Sequence, residues 1–90
     1  MTTTSVTVKL YASLAEYLPA GAVDNAAPVA VPAGTSVGGV LRRMGVPSEH
    51  CHLVLINGVF VPPGERDTRA LAAGDTLAAW PPVAGGRARA

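Results

Sequence analysis

The dipeptide Asn57-Gly58 lies between two apolar runs, and this arrangement constrains the fold more than any other feature of the sequence. Leu53–Ile56 precedes the dipeptide and residues 59–61 follow it. Asn-Gly is the preferred pair for a type I′ turn, because both central residues of that turn need a positive φ. The sequence therefore predicts a β-hairpin with a two-residue loop.

A two-residue loop fixes the register of this hairpin and places apolar side chains on both of its faces. The predicted pairs are Ile56 with Val59, Leu55 with Phe60, and Val54 with Val61. One face then carries Val54, Ile56, Val59 and Val61, and the other carries Leu53, Leu55 and Phe60. Because a chain of 90 residues builds one main core, we expect the second face to be covered by a loop or available to a partner.

Three further strands are predicted on either side of the hairpin. Val6, Val8 and Leu10 alternate with polar residues, which is the period of a half-buried strand. A loop over residues 21–28 is expected to lead into a short second strand at residues 29–31. The last strand is predicted at Thr76–Trp80, where two prolines stop it.

One main helix is predicted over residues 37–44. Its apolar residues recur at helical spacing, and Thr35 or Ser36 can cap its first turn. Gly38 and Gly39 weaken this helix, so packing must hold it, and glycines there would let another backbone come close. Residues 13–18 are expected to form a short helix or turn, and residues 62–69 a polar loop.

Composition excludes several classes of function. The formal charge is +1 and the basic residues are scattered, so no nucleic-acid or polyanionic surface is indicated. The single cysteine, Cys51, cannot form an internal disulfide, which agrees with a reducing cytoplasm. The first residues do not form a signal peptide, and no apolar run is long enough to cross a bilayer. We therefore expect a cytoplasmic protein without a membrane or nucleic-acid partner.

The segment Glu49-His50-Cys51-His52 raises the question of a metal site or a nucleophile. In an extended segment the two histidines point one way and Cys51 the other, so three ligands cannot converge. Cys51 has no evident orienting partner, and an inert, partly buried thiol explains it better. Asp67 and Asp75 are better explained as turn residues than as an acid/base pair. We expect no bound metal or cofactor, and no catalysis by the body of the domain.

The end of the chain has a different character from its body. After Trp80 the sequence continues Pro81-Pro82-Val83-Ala84-Gly85-Gly86, followed by residues 87–90. Prolines favour an extended course, and glycines carry no Cβ, so this backbone can enter a channel too narrow for side chains. The chain is thus divided into a domain at residues 1–80 and a flexible tail at residues 81–90. The alternative is an ordinary frayed terminus.

The chain resembles the MoaD/ThiS family of ubiquitin-like sulfur carriers, and the MoaD side of it in particular. The stretches that carry the resemblance are residues 8–14 (Val-Lys-Leu-Tyr-Ala-Ser-Leu), 55–58 (Leu-Ile-Asn-Gly), 71–75 (Leu-Ala-Ala-Gly-Asp) and 81–86 (Pro-Pro-Val-Ala-Gly-Gly). The resemblance covers nearly the whole chain, from Val6 to Gly86. It implies an α+β fold of the β-grasp type, with a mixed sheet of about five strands packed on one main helix.

The resemblance also implies a function. An E1-like enzyme would use ATP to adenylate Gly86, and a persulfide donor would convert the activated end to a thiocarboxylate. Gly85 would let the end enter the active site, with Pro81, Pro82, Val83 and Ala84 inserted behind it. The domain would be a non-catalytic co-substrate, recognised through a sheet face that includes Val59 or Phe60, and it would supply sulfur to a synthase or a larger subunit.

Residues 87–90 depart from the family pattern, in which the Gly-Gly is terminal. A peptidase could remove Arg87-Ala88-Arg89-Ala90, which is the reading we favour. The extension could instead block activation and leave a β-grasp binding module, or have no role. The small subunit of molybdopterin synthase, a carrier dedicated to another pathway, and a protein modifier joined through Gly86 remain open.

Overall fold

The computed structural model describes residues 2–82, which form one sheet, one α-helix and three short 3₁₀ segments. The strands are β1 (Thr3–Leu10), β2 (Ala26–Pro32), β3 (Leu53–Ile56), β4 (Val59–Phe60) and β5 (Thr76–Trp80). The α-helix, α1, spans Val37–Arg43. The 3₁₀ segments are Ala12–Tyr17, Ser48–His50 and Pro63–Glu65.

The five strands form a mixed sheet in the order β2-β1-β5-β3-β4. β1 and β5 pair in parallel at its centre, while β2 pairs antiparallel with β1, and β3 pairs antiparallel with both β5 and β4. A parallel pair cannot be joined by a tight turn, so the chain between its two strands must cross over. Here that crossover contains β2, α1 and the hairpin. The predicted β-grasp architecture is confirmed.

The core lies between one face of the sheet and α1. Alternate residues of the central strands face the helix, which confirms the predicted period of two in β1. The side chains that share this core include Val6, Val8 and Leu10 of β1, Val54 and Ile56 of β3, Leu77 and Ala79 of β5, and Val37, Val40 and Leu41 of α1. The N-cap of α1 is Ser36, whose side chain accepts a hydrogen bond from the Gly39 N–H at 3.0 Å.

The hairpin has the predicted turn and register. Asn57 and Gly58 have φ angles of 50° and 84°, as a type I′ turn requires. Leu55 faces Phe60 and Ile56 faces Val59. Val61 lies beyond β4, and its N–H still donates to the Val54 carbonyl at 2.9 Å.

The second strand is longer than the sequence predicts, because it begins at Ala26 and includes Pro28. β2 is an edge strand, and Pro28 lies opposite Thr7, whose own N–H donates towards Asp75 on the other side. In an antiparallel pair this makes Thr7 and Pro28 a non-hydrogen-bonded pair, so the proline nitrogen faces the open edge. Pro32 lies opposite Thr3, four residues further along β2, so its nitrogen also faces the open edge. The two prolines therefore cost no ladder bonds, and they remove donors that another strand could pair with.

A side-chain clamp joins the hairpin turn to the turn before β5. The Asn57 amide donates to Asp75 at 3.0 Å and accepts from the Thr76 N–H at 2.9 Å. Asp75 also accepts from the Ala72 N–H at 2.8 Å, which confirms its predicted role as a turn residue. The hydrogen bond from Ala72, and after it the one from Asn57, lower the pKa of the Asp75 carboxyl.

None of the helices within residues 2–82 is long and apolar enough to cross a membrane.

The lowered pKa of Asp75 predicts a dependence of stability on pH. The carboxylate contributes stability above its unfolded pKa of about 3.9, and this contribution is lost as the pH falls through the lower, folded value. In urea unfolding between pH 7 and pH 2, the free energy of unfolding should therefore fall more on acidification for the unsubstituted chain than for Asp75→Ala. Asp24→Ala removes an exposed carboxylate at the opposite end of the sheet and controls for the loss of one charge. Parallel pH profiles for the unsubstituted chain and Asp75→Ala would contradict this assignment.

Candidate functional site

The chain leaves the domain from the central part of the sheet. β5 lies between β1 and β3, and its last residue, Trp80, accepts a hydrogen bond from the His52 N–H at 2.8 Å. Pro81 is half-buried and Pro82 is exposed, so the chain passes to the surface within two residues of the strand. Val83, Ala84, Gly85 and Gly86, the other residues predicted to enter a partner's active site, lie outside the described residues.

An aromatic stack holds the point of exit. The rings of Tyr11 and Trp80 lie 4.5 Å apart between centroids and are inclined by only 6°. Tyr11 directly follows β1, and its N–H donates to the Ala79 carbonyl at 3.2 Å, so it continues the parallel pairing beside Trp80. Stacked aromatic pairs contribute about 0.5–1.5 kcal/mol beyond the area that they bury. The last residue of β5 is therefore fixed on its side-chain side as well as through its backbone.

The stack is one end of an apolar surface on the face of the sheet that points away from α1. We call this surface the outer patch, and it consists of Tyr11, Leu53, Leu55, Phe60 and Trp80. Cross-strand pairing joins its members, since Leu53 faces Trp80 and Leu55 faces Phe60. Phe60 is the most open of them, with 51% of its surface exposed. This is the second apolar face predicted from the hairpin register, and none of the described loops buries it.

Val59 and Phe60, the two residues predicted for a partner surface, lie on opposite faces of the sheet. Phe60 belongs to the outer patch, whereas Val59 faces the same side as Ile56. Val59 is nevertheless 61% exposed. Its strand is only two residues long and forms the sheet edge, beyond the cover of α1, so the core face is not buried there.

Cys51 is buried rather than reactive, although the neighbouring Glu49, His50 and His52 are exposed. Cys51 belongs to the core, and burial raises the pKa of its thiol despite the opposing charge of Arg66. Within the range 2–82, no three His, Cys, Asp or Glu side chains form a group that could hold a metal ion. Asp67 pairs with Arg42 at 2.9 Å, and both side chains are exposed.

The prediction of a polar loop at residues 62–69 misses a buried arginine. Arg66 has only 9% of its surface exposed, and its guanidinium donates to the carbonyls of Cys51 and His52 at 2.7 and 3.3 Å. The loop lies against α1, where Gly38 donates its N–H to the Arg66 carbonyl at 2.7 Å. A Cβ at Gly38 would overlap the Asp67 carboxylate, so this exposed side chain would have to move to admit one. That glycine was the sequence signal for a close approach, although it could not identify the approaching segment.

Comparisons with known proteins agree with this geometry. The ThiS family model matches residues 8–86 of the chain. A comparison with curated proteins finds no match.

Among the solved structures similar to this one are three from Haloferax volcanii and Methanosarcina acetivorans. The solution structure of the Haloferax volcanii HVO 2177 protein superposes with a TM-score of 0.72 at 28% identity, over 93% of this chain and 88% of that one. The crystal structure of small archaeal modifier protein 1 from Haloferax volcanii superposes with a TM-score of 0.63 at 32% identity, over 89% of this chain and 99% of that one. The solution structure of small archaeal modifier protein 1 from Methanosarcina acetivorans superposes with a TM-score of 0.64 at 25% identity, over 96% of this chain and 100% of that one.

A double-mutant cycle should detect the stack at the exit. We expect Tyr11→Leu and Trp80→Leu to be coupled by about 0.5–1.5 kcal/mol in the free energy of unfolding, measured by urea denaturation. Tyr17→Leu is the matched control, because Tyr17 does not stack with Trp80 in the described part of the chain. Its effect should add to that of Trp80→Leu within about 0.5 kcal/mol. Equal coupling in the two cycles would contradict the stack.

Proposed function

Since the chain belongs to the ThiS family, we propose that it is a ubiquitin-like sulfur carrier that is activated at Gly86. One observation carries the proposal: the family match ends at Gly86, the second glycine of Gly85-Gly86. The two glycines follow the central strand of a β-grasp sheet by only a few residues. Such a segment combines a rigid point of departure with a backbone that carries no side chain at its reactive end.

The proposed chemistry needs a partner enzyme, and the chain itself is a co-substrate. A free carboxylate on Gly86 would attack the α-phosphate of ATP in an E1-like enzyme, forming an acyl adenylate and releasing pyrophosphate. The terminal sulfur of a persulfide donor would then attack the carbonyl carbon, and AMP would leave with the bonding electron pair. Reduction of the resulting acyl disulfide by a thiol would release the thiocarboxylate, a soft nucleophile.

Activation requires that residues 87–90 be removed first. Arg87 is joined to Gly86 by a peptide bond, so Gly86 has no carboxylate until that bond is hydrolysed. We therefore include a processing peptidase among the partners. Its cleavage site would lie between Gly86 and Arg87, beyond the last residue of β5 at Trp80.

The outer patch is the proposed docking surface for the activating enzyme. It is apolar, it lies on the face opposite the core, and Trp80 connects it directly to the exit of the tail. A partner that binds this patch would receive the chain beyond Pro82 at the edge of the same interface. The same surface would serve a sulfur-accepting synthase or a larger subunit, one after the other.

A second function, protein modification, is favoured by a specific observation. Two structural neighbours of this chain, from Haloferax volcanii and Methanosarcina acetivorans, are named small archaeal modifier protein 1. A modifier would use the same adenylate at Gly86, with the amine of a target lysine in place of the sulfur donor. The two functions share the activation step and differ only in the nucleophile that follows it.

The intact mass of the protein purified from its own host tests both functions. A species that ends at Gly86, with a fraction heavier by about 16 Da from the replacement of oxygen by sulfur, is expected for a carrier. Isopeptide-linked adducts on target lysines would favour the modifier. A homogeneous species that retains Arg87, even with an activating enzyme co-expressed, would contradict both and favour a β-grasp binding module.

A pair of adjacent substitutions tests the docking surface. Phe60→Asp places a charge in the outer patch, and we expect at least a tenfold rise in the carrier concentration for half-maximal adenylation. Val59→Asp is the matched control, since Val59 is comparably exposed on the opposite face. It should leave adenylation of a chain ending at Gly86 unchanged. A larger effect of Val59→Asp would contradict this assignment and indicate that the enzyme binds the helix side of the sheet.

A further inference from the structure

A chain of three hydrogen bonds connects the buried Arg66 to the last residue of β5. Arg66 donates from its two terminal nitrogens to the consecutive carbonyls of Cys51 and His52. His52 then donates its own N–H to the Trp80 carbonyl at 2.8 Å. The guanidinium therefore holds the backbone segment that, in turn, holds the point where the chain leaves the sheet.

The environment of Arg66 is unusual for a cation. It is nine-tenths buried, yet the ion pair found within residues 2–82 joins Arg42 to Asp67 and leaves Arg66 with carbonyl partners. Its Nε also makes no hydrogen bond to any described residue. A buried charge without a carboxylate partner is costly, and an apolar side chain of similar size would avoid that cost. Stability alone is therefore a poor explanation for an arginine here.

The planar fork of an arginine explains the choice better. Its two terminal nitrogens, held in one rigid plane, bind two consecutive carbonyls here, whereas a lysine offers a freely rotating point donor and an apolar side chain offers none. The base of the fork is itself held against α1, through Gly38 N–H to the Arg66 carbonyl at 2.7 Å and Val37 N–H to the Arg69 carbonyl at 2.9 Å. The helix, the loop and the two residues before β3 are thus joined by hydrogen bonds in one connection that ends at Trp80.

We propose that Arg66 is a positioning residue, which fixes the direction in which the chain leaves β5 on its way to Gly86. This inference rests on the proposed function, because the direction matters for the entry of the tail into an active site. Arg66 itself touches no reacting group. It acts through His52 and Trp80, the last residue of the sheet before the chain departs.

Amide hydrogen exchange measured by NMR tests the connection without any partner protein. In Arg66→Met we expect the His52 amide to exchange at least tenfold faster, while the Val8 amide in the β1–β2 ladder stays unchanged. Arg66→Lys should give an intermediate rate, since its ammonium group can still donate to these carbonyls but lacks the rigid planar fork. Arg69→Met, an exposed arginine of the same loop, is the matched control and should behave like the unsubstituted chain.

Adenylation kinetics test the positioning role itself. With a chain ending at Gly86, an E1-like enzyme and ATP, we expect Arg66→Met to lower kcat about tenfold and to leave KM nearly unchanged, because the outer patch is intact. Phe60→Asp should show the reverse pattern, with KM raised. Arg69→Met should change neither constant.

Each result bears on one hypothesis or the other. Equal acceleration of the His52 and Val8 amides would show that Arg66 only supports global stability, and would overturn the inference. An unchanged kcat in Arg66→Met would also overturn it. If the unsubstituted chain is not adenylated at all, the proposed function fails, and the exchange of the His52 amide alone decides whether Arg66 holds the exit of β5.

Discussion

The parallel pairing of β1 with β5 at the centre of the sheet is the constraint on which the rest of this structure depends. It places the last strand of the domain between β1 and β3, with Leu77 and Val8 fully buried beside each other. Because parallel strands need a long crossover, the helix and the hairpin are both built into the connection between them. The chain therefore leaves the domain from a strand that is paired on both sides rather than from an edge strand.

The two faces of the sheet differ in what covers them. Its inner face is buried by α1, while the outer face carries an apolar patch that no described loop covers. Its edges offer less to a partner, since Pro28 and Pro32 remove two of the outward donors of β2, and β4 is only two residues long. This arrangement supports the proposed recognition through a face rather than an edge, and Trp80 connects that face to the departing chain.

Local chemistry predicted much of this fold and part of the candidate site. The Asn57-Gly58 turn determined the hairpin register, and hence the existence of a second apolar face, because a type I′ turn leaves no freedom in the pairing. The first residues of β2, from Ala26 to Pro28, were not predicted, because a proline usually indicates the end of a strand unless its nitrogen faces an open sheet edge. Arg66 was missed for a similar reason: an arginine in a polar loop reads as solvated, and its burial depends on carbonyls 14 and 15 residues away.

The sequence by itself determined the elements whose causes lie within a few residues of one another. These are the hairpin, the capped helix, the alternation of β1, and the Gly85-Gly86 segment after a pair of prolines. Only the tertiary structure decided that Val59 stays exposed on the helix side of the sheet, that Tyr11 stacks on Trp80, and that a buried guanidinium holds the exit of β5. The physical reason is that turn geometry and capping are short-range, whereas burial and hydrogen-bond partners depend on which strands become neighbours across the sheet.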